Sequence, residues 1–336
     1  MEERKLNEIR LKARAKINLC LDVLRRRPDG YHDLRMVMQT VNLCDEITLR
    51  TVDVREPGQT DGAAAFRQSE RFGMAEAEQT DGTAGETDIR IRVIGGAGLV
   101  PADSGNLAYR AAQMLMEEFE IRQGLEITLK KQIPAAAGLA GGSADAAAVL
   151  TGVNQMFDLK LDEQALMRRG VKIGADVPYC ILRGTALAEG IGDRLTRLPQ
   201  APEAYVVLAK PPVEVSTGYV YANLRLDEGC GHPDVDGQVR AIREGDLYRM
   251  AKTMGNMLEA VTIPAFPVVG EIKARMMRCG AVNAMMSGSG PTVFGLFEDR
   301  VKAENACEEL ADRMQLKEVF LTTFYQRLET AGDAGK

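Results

Sequence analysis

The sequence predicts an α+β protein folded in two lobes. Three observations predict it. Strand and helix patterns are mixed along the chain without a strict βαβ repeat, the 336 residues exceed one ordinary domain, and the pattern breaks between residues 187 and 202. A hydrophobic content of 45% with 27% charged residues is that of a globular chain, which excludes a mostly disordered chain and a coiled coil.

The elements follow in order. Apolar alternation at Ile9, Leu11, Ala13, Ala15 and Ile17 opens the fold with a strand, and Ile89, Ile91 and Val93 repeat the pattern. Between them, residues 54–87 shift to Gly, Ala, Gln, Glu and Thr and carry the tetrapeptide QTDG twice. Such a stretch buries too little apolar surface to order itself; it looks like a mobile insertion and is read as an exposed hairpin tip without a role. Leu107, Ala111, Met114, Leu115 and Phe119 keep helical spacing after the start signals Asp103 and Ser104. Residues 125–131 read as a strand, 133–142 as a Pro/Ala/Gly loop, and 143–157 as an Ala-rich helix. The second half offers a strand at 205–209, a soft surface loop at 227–237, and helical patterns over 239–258 and 267–278. A strand pair around SGSGP, a helix and a last strand complete it.

The net charge of −6 lacks the broad positive field of nonspecific nucleic-acid binders. The first ten residues are dense in charge with no signal-type apolar core, and no uncharged run reaches spanning length, so a cytoplasmic protein without a membrane partner is expected. Six scattered cysteines without a CxxC pair, and only His32 and His232 beside them, point to reduced structural thiols and to no metal site. His232 falls in the soft loop and is a weak catalytic candidate.

Five segments can carry chemistry. In PAAAGLAGGSADAAA, from Pro134, a Gly-rich loop joins a strand to a helix. Glycine lets backbone amides approach an anion, and the helix N-terminus adds free N–H groups and the positive end of its dipole. The spacing is neither GxxxxGK[ST] nor GxGxxG. Its two readings are a different phosphate loop and small residues that let a helix pack close to a sheet. In GADVP, Asp176 sits in a short Gly/Pro-bounded turn that is otherwise apolar, and Lys16 in ARAKINL is likewise an ion among apolar neighbours. They read either as a buried ion pair or as a reactive pair. SGSGP, from Ser287, closes over a phosphate or forms a tight turn. Tyr31 and His32, after Pro28, Asp29 and Gly30, are turn residues or contacts to a planar ligand.

Taken together, AKINL, RRPDGYHDL, PAAAGLAGGSADAAA, GADVP and SGSGP resemble, in the same order and over nearly the whole chain, the GHMP kinase superfamily. The selective elements are PDGYH and GADVP, which resemble the branch acting on 4-diphosphocytidyl-2-C-methyl-D-erythritol. The resemblance implies a two-lobed GHMP kinase fold with the active site in the interlobe cleft. Residues 1–190 form the N-terminal domain with the insertion at about 55–87, 191–330 the C-terminal domain, and 331–336 a disordered tail. It implies ATP-dependent phosphorylation of the substrate's 2-hydroxyl, in the non-mevalonate isoprenoid precursor pathway, with Mg2+ accompanying ATP.

Carried over residue by residue, the resemblance makes Asp176 the acceptor of the hydroxyl proton and Lys16 the cation that holds and polarises the pair. Pro134, Ala135, Ala136, Ala137, Gly138, Leu139, Ala140, Gly141, Gly142, Ser143 and Ala144 embrace ATP. Tyr31 stacks on cytosine, His32 reads its polar edge, and Asn18 and Tyr221 are further substrate contacts. The chain departs from the family pattern at Ala136, Ala140 and Ala144. A β-carbon at 136 or 140 disfavours positive φ, and Ala144 leaves Ser143 as the loop's only hydroxyl. The alternatives are a kinase for homoserine or mevalonate, which needs no cytosine clamp, and a noncatalytic nucleotide-binding protein, against which the joint presence of Lys16 and Asp176 counts.

Overall fold

The structure, a computed structural model, describes residues 7–53, 76–81, 88–226 and 231–327. The chain divides into two compact units. Unit 1 comprises Met1–Arg14, Cys44–Ala135 and Gly141–Leu182; unit 2 comprises Ala15–Leu43, Ala136–Ala140 and Arg183–Lys336. Segments alternate between the two, so compactness does not follow a single break near residue 190. Strands β1 (Glu8–Arg26) and β2 (His32–Val52) contribute to both.

In unit 1, β3 (Glu76–Asp81), β4 (Ile89–Ile94) and β5 (Gly124–Lys130) continue from the C-terminal part of β2. β4 and β5 are parallel and joined by α1 (Leu107–Glu118), the crossover that parallel neighbours require. Asn106 caps α1, its Oδ1 accepting from the Ala108 N–H at 2.9 Å; the expected start signals lie two and three residues earlier. Helix α2 (Gly141–Met156) packs on α1, and α3 (Glu163–Gly170) and α4 (Val177–Leu182) complete the layer. Ala144, Ala146, Ala147 and Ala148 are all buried, and a β-carbon at Gly152 would fall 2.5 Å from both Leu11 Cδ1 and Leu49 Cδ1. Small residues therefore do seat this helix close against the sheet.

Residues 76–81 fall inside the expected insertion and pair antiparallel with β4 along its whole length, as one arm of a hairpin, so this part of the segment is ordered where it was expected not to order itself. Pairing satisfies the backbone groups of an otherwise open sheet edge, which a segment poor in apolar residues can still do. The remainder of the insertion, including the first QTDG, lies outside the described residues, as do residues 227–230 and the tail.

In unit 2, β6 (Thr185–Gly190) pairs with β2 and forms a hairpin with β7 (Arg194–Arg197). The expected break over 187–202 is thus partly occupied by strand pairing. A second, antiparallel sheet has the order β10-β11-β8-β12, from β8 (Tyr205–Lys210), β10 (Asn283–Met286), β11 (Val293–Phe297) and β12 (Glu318–Thr323). Helices α9 (Pro267–Arg278) and α10 (Arg300–Arg313) pack on it, and every residue of β11 is buried. The single helix expected over 239–258 is instead α6 (Val235–Glu244), α7 (Leu247–Lys252) and a two-residue β9 (Gly255–Asn256) parallel to β1. Gly245, at φ 69°, ends α6 in the left-handed conformation glycine favours, and Asp246 caps α7. Two short helices complete the unit, α5 (Thr217–Asn223) and α8 (Glu259–Ala265). Among the described residues no helix is long and apolar enough to cross a membrane.

Candidate active site

The Gly-rich segment leaves β5, turns, and becomes α2 at Gly141. Its turn uses three left-handed residues, Ala136 (φ 48°), Gly138 (72°) and Ala140 (56°). Both alanines thus adopt the conformation their β-carbons disfavour, at a cost of about 1–2 kcal/mol each. Gly138 allows no side chain at all, because a β-carbon there would lie 2.2 Å from the Ser287 backbone oxygen. Ser287 Oγ donates to the Gly138 carbonyl at 3.0 Å, and the Lys16 N–H donates to the Leu139 carbonyl at 3.1 Å. Residues 136–140, the start of β1 in unit 2 and the SGSGP turn therefore meet.

SGSGP joins β10 to β11 as a tight turn, closed by Ser287 N–H to Thr292 O and Gly290 N–H to Ser287 O, both 2.9 Å. Side chains from three other elements fix it. Asn256 Nδ2 donates to the carbonyls of Met286 and Gly288 at 2.9 and 2.8 Å, Thr262 Oγ1 donates to the Ser289 carbonyl at 3.2 Å, and the hydroxyls of Thr217 and Ser289 are 2.9 Å apart. Asn256, Thr262 and Thr217 escaped the sequence reading, since a single buried amide or hydroxyl leaves no pattern.

Lys16 and Asn18 share one face of β1, as residues two apart on a strand must. They are 5% and 1% exposed. Lys16 Nζ donates to Asn18 Oδ1 at 2.8 Å, and Asn18 Nδ2 reaches Met36 Sδ at 3.3 Å. Farther along the same face, Asp22 lies 2.7 Å from His232 Nδ1. His232 is thus held by a carboxylate, a pairing its place in a soft loop did not suggest.

Tyr31 and His32 follow a turn in which Gly30 takes φ 88° and Asp29 Oδ1 accepts the Tyr31 N–H at 3.1 Å. Tyr31 is 60% exposed. His32 begins β2, and its ring meets that of Tyr221 from α5 with centroids 4.9 Å apart and planes at 32°. Two of the expected cytidine contacts are therefore neighbours. Partial burial, with the Arg26 charge adding to it, lowers the His32 pKa from its ordinary 6.5. At neutral pH the imidazole is uncharged, with one nitrogen donating and one accepting.

In unit 1, Ser143 lies in the first turn of α2, and a β-carbon on Gly174 would stand 3.7 Å from its hydroxyl. The GADVP segment thus reaches the start of the loop's helix. Asp176 immediately precedes α4, where its carbonyl accepts the Cys180 N–H at 3.0 Å, and its side chain is neither fully buried nor exposed. Lys16 belongs to unit 2 and Asp176 to unit 1. Burial raises the Cys20 thiol to about 12 and that of Cys307 to about 11.

Residues 106–184 match the GHMP kinases N terminal domain and residues 238–316 the GHMP kinases C terminal domain. The chain is 45% identical over 318 residues to the 4-diphosphocytidyl-2-C-methyl-D-erythritol kinase of Lachnoclostridium phytofermentans, covering 95% of this chain and 98% of that one. It is 46% identical to the enzyme of the same name from Lachnospira eligens, over 94% and 98%. Among solved structures, it is similar to a 4-(cytidine 5'-diphospho)-2C-methyl-D-erythritol kinase, with a TM-score of 0.73 at 29% identity over 95% of this chain and 100% of that one. A homoserine kinase from Cytophaga hutchinsonii shares the fold, with a TM-score of 0.71 at 20% identity over 97% and 96%.

Proposed function

Since the chain belongs to the GHMP kinase family, in its 4-diphosphocytidyl-2-C-methyl-D-erythritol kinase branch, we propose that it transfers the γ-phosphoryl group of ATP to the 2-hydroxyl of 4-diphosphocytidyl-2-C-methyl-D-erythritol, releasing ADP. The observation that carries this reading is the near end-to-end likeness to enzymes of that name at 45 and 46% identity. The reaction belongs to the making of isoprenoid precursors without mevalonate. Both substrates are charged and water-soluble, which suits a cytoplasmic enzyme.

Phosphoryl transfer leans on positioning and on stabilising charge. Residues 134–144 hold the triphosphate in this account, with backbone N–H groups and the α2 terminus facing its oxygens and Ser143 as the only hydroxyl. The left-handed Ala136 and Ala140 support the role, because strain of this kind persists where surrounding contacts enforce a required shape. Among the described residues no group of three or more His, Cys, Asp or Glu side chains gathers to hold a metal. Mg2+ commonly binds substrate phosphates and waters instead of a protein cage, and accompanying ATP it would neutralise phosphate charge.

Asp176 accepts the proton of the attacking hydroxyl, help worth about 10²–10⁴-fold when the base is well placed. Lys16, held by Asn18, supplies positive charge to the reacting groups. At the cytidine end the exposed ring of Tyr31 stacks on the base, while His32, uncharged and braced by Tyr221, reads its polar edge. The test is ADP release with three alcohols supplied separately. The cytidylyl substrate is expected to be phosphorylated with by far the highest kcat/KM; a preference for homoserine or mevalonate would overturn the substrate assignment, and ATP binding without ADP release from any of them would favour a noncatalytic protein.

A further inference from the structure

Unit 1 contains a buried ionic trio that none of these roles uses. Asp45 lies on β2, Lys131 one residue beyond β5, and Asp145 just past the first turn of α2. Their side chains are 0, 3 and 2% exposed. Lys131 Nζ donates to an oxygen of Asp45 and, at 2.5 Å, to Oδ2 of Asp145. The other oxygen of Asp45 accepts the backbone N–H groups of Gln132 and Ile133 at 2.5 and 2.8 Å. Gly141, the first residue of α2, comes to the same place: a β-carbon on it would stand 3.1 Å from Ile133 Cγ2 and 3.6 Å from Lys131 Nζ.

The chain leaving β5 and the chain starting α2 are the two stems of the Gly-rich loop. One stem is bound to Asp45 directly and the other through Lys131. Asp45 accepts from an ammonium and two backbone amides. Burial pushes the Asp145 carboxyl up to about 8 against the attraction of Lys131, and the Asp45 charge adds to the rise. Lys131 stays protonated because the two acids outweigh its burial. Asp145 Oδ1 has no hydrogen-bond partner among the described residues. Apolar residues of similar volume often stabilise a protein as well as such a cluster or better, so stability alone is a weak reason for it.

We propose that Asp45, Lys131 and Asp145 are positioning residues for the nucleotide, a clamp that holds both stems of residues 134–144 in place for the phosphates of ATP. The inference rests on the kinase reading, in which that loop receives ATP. Two variants of similar size separate it from a merely structural role: Asp145→Leu cannot accept from Lys131, whereas Asp145→Asn still can. In ATP-free protein, amide exchange over residues 134–144 is expected to rise roughly tenfold or more in Asp145→Leu and to stay near the wild-type rate in Asp145→Asn. In turnover, Asp145→Leu is expected to raise KM for ATP about tenfold or more, with kcat at saturating ATP within about threefold and KM for the cytidylyl alcohol unchanged. Unchanged loop exchange in Asp145→Leu, equal damage from Asn and Leu, or a parallel rise in both KM values would overturn the clamp. Should Asp145→Leu fail to fold, Lys131→Met, which removes the bridge itself, is judged by the same exchange measurement. If the wild-type protein phosphorylates no alcohol, the kinase reading fails while the exchange result still decides the clamp.

Discussion

Gly138→Ala probes the meeting of the Gly-rich loop with the SGSGP turn. The added β-carbon would fall 2.2 Å from the Ser287 backbone oxygen and 3.2 Å from that of Gly290, at a residue whose φ is 72°. The left-handed conformation costs an L-residue about 1–2 kcal/mol, and overpacking a well-filled site typically costs about 1–3 kcal/mol. The obstructing atom is backbone, and Asn256 and Thr262 pin its turn, so it yields little. The expected loss is therefore about 2–5 kcal/mol, together with weakened ATP binding as residues 136–140 lift away. Ala136→Gly and Ala140→Gly are the controls. Each relieves about 1–2 kcal/mol of left-handed strain and forfeits about 0.4–1 kcal/mol through a freer unfolded chain, so neither is expected to destabilise. Urea unfolding followed by circular dichroism at pH 7 reads all three. A Gly138→Ala protein within about 1 kcal/mol of wild type, or an Ala136→Gly protein that loses more than that, would refute the reasoning.

Three other perturbations have definite outcomes. Asp176→Asn is expected to lower kcat by about 10²–10⁴-fold while ATP still binds, measured by single-turnover kinetics and calorimetry; wild-type turnover would remove Asp176 from the role of base. Tyr31→Ala is expected to raise KM for the cytidylyl alcohol by about 5–150-fold, equivalent to about 1–3 kcal/mol of lost stacking, with KM for ATP unaffected. Asp145 has its folded pKa raised to about 8 from an unfolded value near 3.9, so its favourable contribution is complete below about pH 4 and lost as pH rises towards 8. The difference in Tm between wild type and Asp145→Asn should therefore shift against wild type from pH 5 to pH 8; a constant difference would contradict that.

Local periodicity made much of the fold legible. α2 was legible from its alanine-rich composition, and β1, β4, β5 and α1 each expose a clear alternation or helical stripe within one continuous segment. β2 did not, because Met36, Val37, Met38, Gln39, Thr40 and Val41 are buried in succession and leave no alternation to read. The helical pattern over 239–258 runs through Gly245, which such a pattern tolerates although its left-handed φ ends α6 there. At the site, Lys16 was legible as an ion in an apolar strand, whereas Asn18 was reached only through the family resemblance. The trio of Asp45, Lys131 and Asp145 was not, since Asp45 and Lys131 are 86 residues apart and neither has a local pattern that announces the other. The pairing of Asp22 with His232 spans 210 residues and was invisible for the same reason.

The central claim is transfer of phosphate to one particular oxygen of the acceptor. In 2-C-methylerythritol, C2 bears the methyl group and no hydrogen, whereas the carbons carrying the other free hydroxyls do bear hydrogen. Proton-coupled phosphorus NMR of the product formed with ATP and Mg2+ therefore identifies the acceptor oxygen. The account predicts a new phosphomonoester signal without three-bond splitting by hydrogen. A doublet or triplet, or no new monoester at all while ATP is bound, would contradict it.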